Sequence, residues 1–281
     1  MKRLIKTLTC TVAALAITST GQAGEDDELV VNEELEIPTT AAASADSPLS
    51  ELVSGWRYRA DETQELQMDD FDNPSFIFVE QAEDQWKKVE GTEGKSCSSC
   101  HEDVADFKGL RTVLPRWNEA KAKVYTMENY INDCRVDRMG AERWKWAKGK
   151  MTAMTALISL QSRGMPVAVK TDGPAQAAHD LGKEIYYTRV GQLDMACSSC
   201  HEDNYGNMIR ADHLSQGQIN GFPTYRLKNS KLNSIQGRFK GCMKNIRATP
   251  YKVGSPEFTA LELYVASRGN GLAVESPSVR N

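Results

Sequence analysis

Histidine is scarce in this chain of 281 residues, which contains four, and beyond the stretch Leu8 to Ile17 it has no long apolar run. The lack of a second such run excludes a membrane span, which needs about 20 consecutive apolar residues. Basic charge is not in excess either: 34 Lys and Arg stand against 38 Asp and Glu, a formal net charge of −4. Nothing in that balance points to nucleic acid. Only four imidazoles are available for metal chemistry, so two that directly follow a cysteine carry weight.

Those two are His101 and His201, each closing a copy of Cys-Ser-Ser-Cys-His, and the copies stand one hundred residues apart. The pattern is that of c-type haem attachment. Cys97 and Cys100, and again Cys197 and Cys200, are spaced to form thioethers with the two vinyl groups of one haem. The adjacent imidazole then reaches the iron. Both pairs carry the trailing histidine, and no further Cys-x-x-Cys exists to complete a four-cysteine zinc centre. Two covalently bound c-type haems are expected, with His101 and His201 as proximal ligands.

The N-terminus fits that expectation. Lys2, Arg3 and Lys6 precede the apolar run, and Gly21-Gln22-Ala23 offers a small-residue cleavage site, so residues 1–23 read as a signal peptide and the periplasm as the destination. Seven acidic and no basic residues lie between Glu25 and Glu36, followed by a stretch rich in Ala, Ser and Pro. Residues 24–50 are therefore expected to be an acidic, flexible leader.

An internal repeat divides the remainder. Ala82 and Trp86 precede the first motif as Gly182 and Tyr186 precede the second, a small residue and an aromatic four positions apart on predicted helices. Thr155-Ala156-Leu157 through Gly164 echoes Thr259-Ala260-Leu261 through Gly269, each an apolar helix stopped by glycine. Asp172-Gly173-Pro174 punctuates the chain between the copies. The order of helix, Cys-x-x-Cys-His and closing apolar helix resembles the class I cytochrome c fold. It implies a mainly α chain of two tandem domains with long irregular loops, at 51–172 and 173–281. In it, Leu261 and Tyr264 of the closing helix would cross the first helix near Gly182.

Outside the signal peptide and the motifs only Cys134 and Cys242 remain, and each precedes the closing helix of its own repeat. A disulfide joining them is one reading in an oxidising compartment. The other makes each sulfur the distal ligand of its haem iron, where a thiolate favours the ferric state. Met127, Met139, Met151, Met208 and Met243 are eligible for that place by position, as are His179 and His213, although such residues are more often core or surface groups.

Cys242 has unusual surroundings. From Asp212 to Glu257 there is no acidic residue, while Arg226, Lys228, Lys231, Arg238, Lys240, Lys244, Arg247 and Lys252 all fall there. Such a field attracts anions and favours a thiolate.

The segments Gln216-Gly217-Gln218, Gly221-Phe222-Pro223-Thr224-Tyr225-Arg226, Arg238-Phe239-Lys240-Gly241-Cys242-Met243 and Leu263 to Gly271 resemble the SoxA family. Its members are dihaem subunits of the SoxAX cytochromes of bacterial thiosulfate oxidation. The resemblance implies that Cys242 is the active-site cysteine, found in the family as a haem-ligating persulfide, that Arg238 contacts the anionic substrate, and that Cys134 is the distal thiolate of the first haem. It also implies an L-cysteine S-thiosulfotransferase that joins thiosulfate to a cysteine of a SoxYZ-like carrier and passes electrons to a SoxX-like monohaem cytochrome. A dihaem electron carrier with inert Cys134 and Cys242, or a dihaem peroxidase, is the alternative. A peroxidase needs an acid or base beside an open haem face, and the acid-free stretch around Cys242 supplies no carboxylate.

Overall fold

The structure is a computed structural model that describes residues 28–281. The expected signal peptide lies outside the described residues. The first strands are short: β1 (Leu29–Val31), β2 (Leu35–Ile37), β3 (Thr40–Ala42) and β4 (Glu51–Val53), paired antiparallel as β1 with β2 and β3 with β4. They correct the expectation of a flexible leader over most of 28–50. Acidic residues set the composition, but Glu33, Glu34 and Glu36 point outward while Leu29, Val31 and Ile37 are buried against Trp56 and Ala273. Leu49 and Leu52 pack on Leu272 in the same way. Each such buried side chain contributes about 1.5 to 3 kcal/mol, which outweighs a polar composition.

The first half continues with α1 (Asp61–Met68), α2 (Phe76–Lys87), a 3₁₀ turn at Cys97–Ser99, the hairpin of β5 (Arg116–Asn118) and β6 (Lys123–Tyr125), α3 (Met127–Met139) and α4 (Gly149–Leu160). The second half repeats it as α5 (Gln176–Tyr187), α6 (Cys197–His201), an inserted hairpin of β7 (Met208–Ile209) and β8 (Asp212–His213), β9 (Thr224–Arg226), β10 (Lys231–Asn233), α7 (Ile235–Asn245) and α8 (Pro256–Ser267). β11 (Ser278–Arg280) joins β9 in parallel, making a three-stranded sheet in the order β10-β9-β11. Among the described residues the chain is helix-rich, and no helix is long and apolar enough to cross a membrane.

Each half is built on one helix crossing, α2 with α4 and α5 with α8. α4 and α8 are apolar almost all round and accordingly buried, with Met151, Leu157, Phe258, Leu261 and Leu263 nearly or fully inaccessible. At the second crossing a Cβ on Gly182 would sit 2.1 Å from the carbonyl oxygen of Ala260 and 2.8 Å from Cβ of Tyr264, so only glycine fits there. The expected approach of Tyr264 to Gly182 is thus observed. Ser255 caps α8 by accepting from the Phe258 amide, with Pro256 at the first helical position.

The ends of the chain meet on the second half. Ser54 bonds to the buried carboxylate of Glu275, which also receives Arg280 (2.8 Å) and Gln67 Nε2 (3.3 Å). Arg59, on the turn after β4, pairs with Asp212 of the inserted hairpin and donates to the carbonyl of His213 at 2.7 Å.

Candidate functional site

Each Cys-Ser-Ser-Cys-His segment folds into a single helical turn that its own second serine caps. Ser99 Oγ accepts from the Ser96 amide at 2.9 Å, and Ser199 Oγ from the Ala196 amide at 3.1 Å. In such a turn residues three apart share a face, so the two thiols of each motif point the same way.

Facing each turn is the remaining cysteine of that half. Cys134 on α3 and Cys242 on α7 stand at the same distance from their helix N-caps, Thr126 and Ser234. Burial, then the neighbouring Cys134, pushes the Cys97 thiol up to about 11. Burial, then Cys242, pushes Cys197 up to about 12. Cys100 acts on Cys134 in turn, and Cys242 acts on Cys200. All six described cysteines are free. Cys134 and Cys242 therefore each confront their own motif, and the disulfide between them is not formed.

At the second motif the imidazole is held in one orientation. His201 Nδ1 lies 2.8 Å from the carbonyl oxygen of Ser215, an arrangement that puts the proton on Nδ1 and leaves Nε2 free to ligate. Burial lowers the pKa of His201 to about 4, assisted by Arg238 and Arg268, so its ring is neutral, the form that binds metal. Gly217, at φ +75°, backs the ring so closely that a Cβ would come within 2.7 Å of His201 Cγ. Around it the Tyr186 hydroxyl and both polar atoms of the Gln218 amide are buried without a partner. Arg268 lies over the Tyr186 ring at 4.5 Å and pairs with Glu202 at 2.8 Å. A macrocycle with carboxylate arms supplies what those orphaned groups need, and the residues present fit a haem. At the first motif His101 packs on Phe107 (4.8 Å between ring centres) and Trp86 (6.1 Å).

Charge separates the two sites. Arg238 lies one helical turn before Cys242 and acts on Cys200, His201, Arg226 and Arg59. Arg226, held through Nε by the main-chain oxygen of Asn281 at 2.7 Å, is pulled below the usual guanidinium range by burial and then by Arg238, while Cys242 opposes the shift. Arg59 is lowered to about 10 by burial, then by Arg280, Arg238 and Arg226. Four guanidinium groups thus share one neighbourhood, although Arg59 and Arg280 come from opposite ends of the chain. Neither was signalled by the sequence around Cys242, because the N-terminal strap, residues 28–60, and β11 bring them there. In the first half the places of Arg226 and Arg238 are taken by Asn118 and Tyr130, and Cys134 sees Asp137 as well as Arg138.

The other candidates fall elsewhere. Met127, Met139 and Met151 are buried, the first and last within the first-half core. Met208 and His213 are exposed on the inserted hairpin, and His179 stacks on Tyr264 at 5.3 Å. Arg247 lines a surface cleft with Gln192, Met243 and Tyr251.

Comparison with known proteins gives a consistent pattern. The family model described as SoxA/TsdA, cytochrome c domain, matches residues 81–167 and 181–274, once in each half. The L-cysteine S-thiosulfotransferase subunit SoxA of Rhodovulum sulfidophilum is 55% identical over 287 residues, covering 99% of this chain and 100% of the relative. That of Paracoccus pantotrophus is 51% identical over 290 residues, covering 100% of both. The crystal structure of SoxXA from P. pantotrophus superposes with a TM-score of 0.86 at 55% identity, covering 88% of this chain and 94% of that one.

Proposed function

The chain belongs to the SoxA family of L-cysteine S-thiosulfotransferase subunits, and we propose that it joins thiosulfate to a cysteine of a SoxYZ-like carrier protein at Cys242, in the periplasm. The observation that carries this reading is the convergence of Arg238 and Arg226 on Cys242, opposite Cys197 and Cys200, where the first half has Tyr130 and Asn118.

Both halves are taken as class I cytochrome c domains, divided at 172/173. Cys97 and Cys100 would hold one haem covalently and Cys197 and Cys200 the other, with His101 and His201 as proximal ligands and Cys134 and Cys242 as distal sulfur ligands. When bound, each haem supplies a one-electron acceptor whose potential depends on its axial ligands.

Joining thiosulfate to a thiol forms one sulfur–sulfur bond and releases one proton and two electrons. Arg238 holds the doubly negative substrate through charge-assisted hydrogen bonds, and Arg226 adds positive potential behind it. Cys242 bonds the terminal sulfur of thiosulfate. A carrier thiolate then attacks that sulfur and Cys242 leaves as thiolate, which is ordinary thiol–disulfide exchange. The two electrons pass out to a SoxX-like monohaem cytochrome bound to this subunit.

The test is reconstitution with thiosulfate, purified carrier and oxidised partner cytochrome. Carrier that gains the mass of an S-linked thiosulfate only when this chain is present supports the proposal. An unmodified carrier, with cytochrome reduction or without it, would leave only an electron-transfer protein.

A further inference from the structure

The two halves meet about a pseudo-two-fold axis. Pro166 and Ala273, which stand at the same distance from the starts of α4 and α8, form an antiparallel bridge with each other. The bonds around it run both ways, from the Val274 amide to the Met165 carbonyl (2.9 Å) and from the Gly164 amide to the Val274 carbonyl (2.8 Å).

The seam between the halves also holds a small cavity of about 30 Å³, lined in part by Arg111, Glu128 and Ser159 from the first half and by Ser234 and Glu262 from the second. Glu128 of α3 and Glu262 of α8 are buried, 6% and 8% exposed. Their side-chain donors are neutral: Thr126 Oγ1 bonds Glu128 at 2.7 Å, beside a main-chain hydrogen bond from the Glu128 amide, and Gln236 Nε2 bonds Glu262 at 2.8 Å. Arg111 is the charged group that faces both, and its guanidinium is already committed to the carbonyls of Leu114 (3.2 Å) and Ile219 (3.0 Å). The Ser159 hydroxyl, from α4, borders the cavity at 1% residue exposure without a partner. Counted from the helix starts, which pair Thr259 with Thr152 rather than with the Thr155 of the sequence echo, the equivalents of Glu128 and Glu262 are Gln236 and Thr155, so the site exists only across the seam.

One guanidinium against two carboxylates leaves an uncompensated negative charge on groups largely withdrawn from solvent, which is costly. Repulsion between two carboxylates lining one cavity favours keeping one of them protonated. The cavity exceeds the roughly 10 to 15 Å³ needed to hold a water, and the unpaired Ser159 hydroxyl with the two carboxyls that line it gives such a water its partners. We propose that this seam is an internal binding site for water and one proton, in which Glu128 and Glu262 share the proton and Ser159 bonds the water, joining the two halves.

Burial raises the pKa of both groups, and for Glu262 the charge of Glu128 adds to it. With folded pKa values above the unfolded ones, the folded chain binds the extra proton at neutral pH. Stability present below the ordinary carboxylate range is then lost as pH rises through the folded values.

The experiment uses the full-length protein with both haems. Infrared spectra in H₂O and D₂O at neutral pH are expected to show a protonated carboxyl stretch in the wild type. Either Glu128→Gln or Glu262→Gln should remove it, because a single remaining carboxyl beside Arg111 ionises. The thermal midpoint of the wild type should fall between about pH 6 and about pH 9, and that fall should be lost in Glu262→Gln. No such stretch in the wild type, a stretch that survives either substitution, or an unchanged pH slope would each overturn the shared proton. The infrared result on the wild type decides even if a variant fails to fold.

Discussion

Cys134 and Cys242 occupy the same position in two copies of one fold, each on the helix that follows a hairpin and each facing its own Cys-Ser-Ser-Cys-His turn. Around Cys134 the charges are mixed, with Asp137 opposing Arg138, and Tyr130 stands one turn earlier. Around Cys242, Arg238 stands at that place, with Arg226 behind it and Arg59 nearby. The difference separates two contributions. The repeat places a sulfur opposite a Cys-Ser-Ser-Cys-His turn, and a few guanidinium groups added to one copy put positive charge beside that sulfur, which in the proposed function serves an anionic substrate. The first half serves as an internal control for the second.

The sharpest way to break the comparison is to remove each sulfur in turn. Cys242→Ala is expected to abolish thiosulfate-dependent modification of the carrier while both haems stay attached, since attachment depends on the motif cysteines, and Cys134→Ala should leave the modification in place. Carrier mass spectrometry and haem stoichiometry on the same preparations check both.

Next in size is the charge. Hydrogen bonds to charged groups are worth about 1.5 to 3 kcal/mol, so Arg238→Ala should lose roughly tenfold to a hundredfold in kcat/KM for thiosulfate. Arg238→Lys keeps the charge but not the planar fork and should lose less, though measurably. Steady-state kinetics at fixed ionic strength tests this, and wild-type values for Arg238→Ala would make the basic cluster a mere docking surface.

A smaller effect on turnover is expected from Cys134→Met, which replaces a thiolate donor by a thioether and should raise the potential of the first haem. An unchanged redox titration would mean that Cys134 is not a ligand. The least effect on turnover belongs to Leu29→Ala in the strap. It should cost about 2 to 5 kcal/mol of stability, seen as a lower denaturation midpoint, with kcat/KM unchanged at ambient temperature.

Much of this was legible in the sequence because it is written in short-range patterns. The Cys-Ser-Ser-Cys-His segments, the small residue at Gly182 and the apolar closing helices depend on spacings within one or two turns, and the structure folds the first into matching turns and keeps the other two. The match between Cys134 and Cys242 was legible from their order before the closing helices. What could not be read depends on distant partners. Residues 28–50 looked like a solvated leader because acidic side chains dominate the count, whereas the buried face is a sparse alternation of Leu29, Val31 and Ile37 against residues near the other end of the chain. Arg59 and Arg280 reach the surroundings of Cys242 through that same closure of the two ends. The Glu128 and Glu262 pair is assembled across the seam from positions where the repeats differ.

The central claim is that only one of the two equivalent cysteines handles substrate sulfur. The direct measurement is peptide mass spectrometry of the haem-loaded protein, isolated as purified and again after exposure to thiosulfate with an oxidised partner cytochrome. The account predicts added sulfur or a thiosulfate adduct on the peptide containing Cys242 and an unmodified Cys134. Modification of both cysteines, of Cys134 alone, or of neither would contradict it.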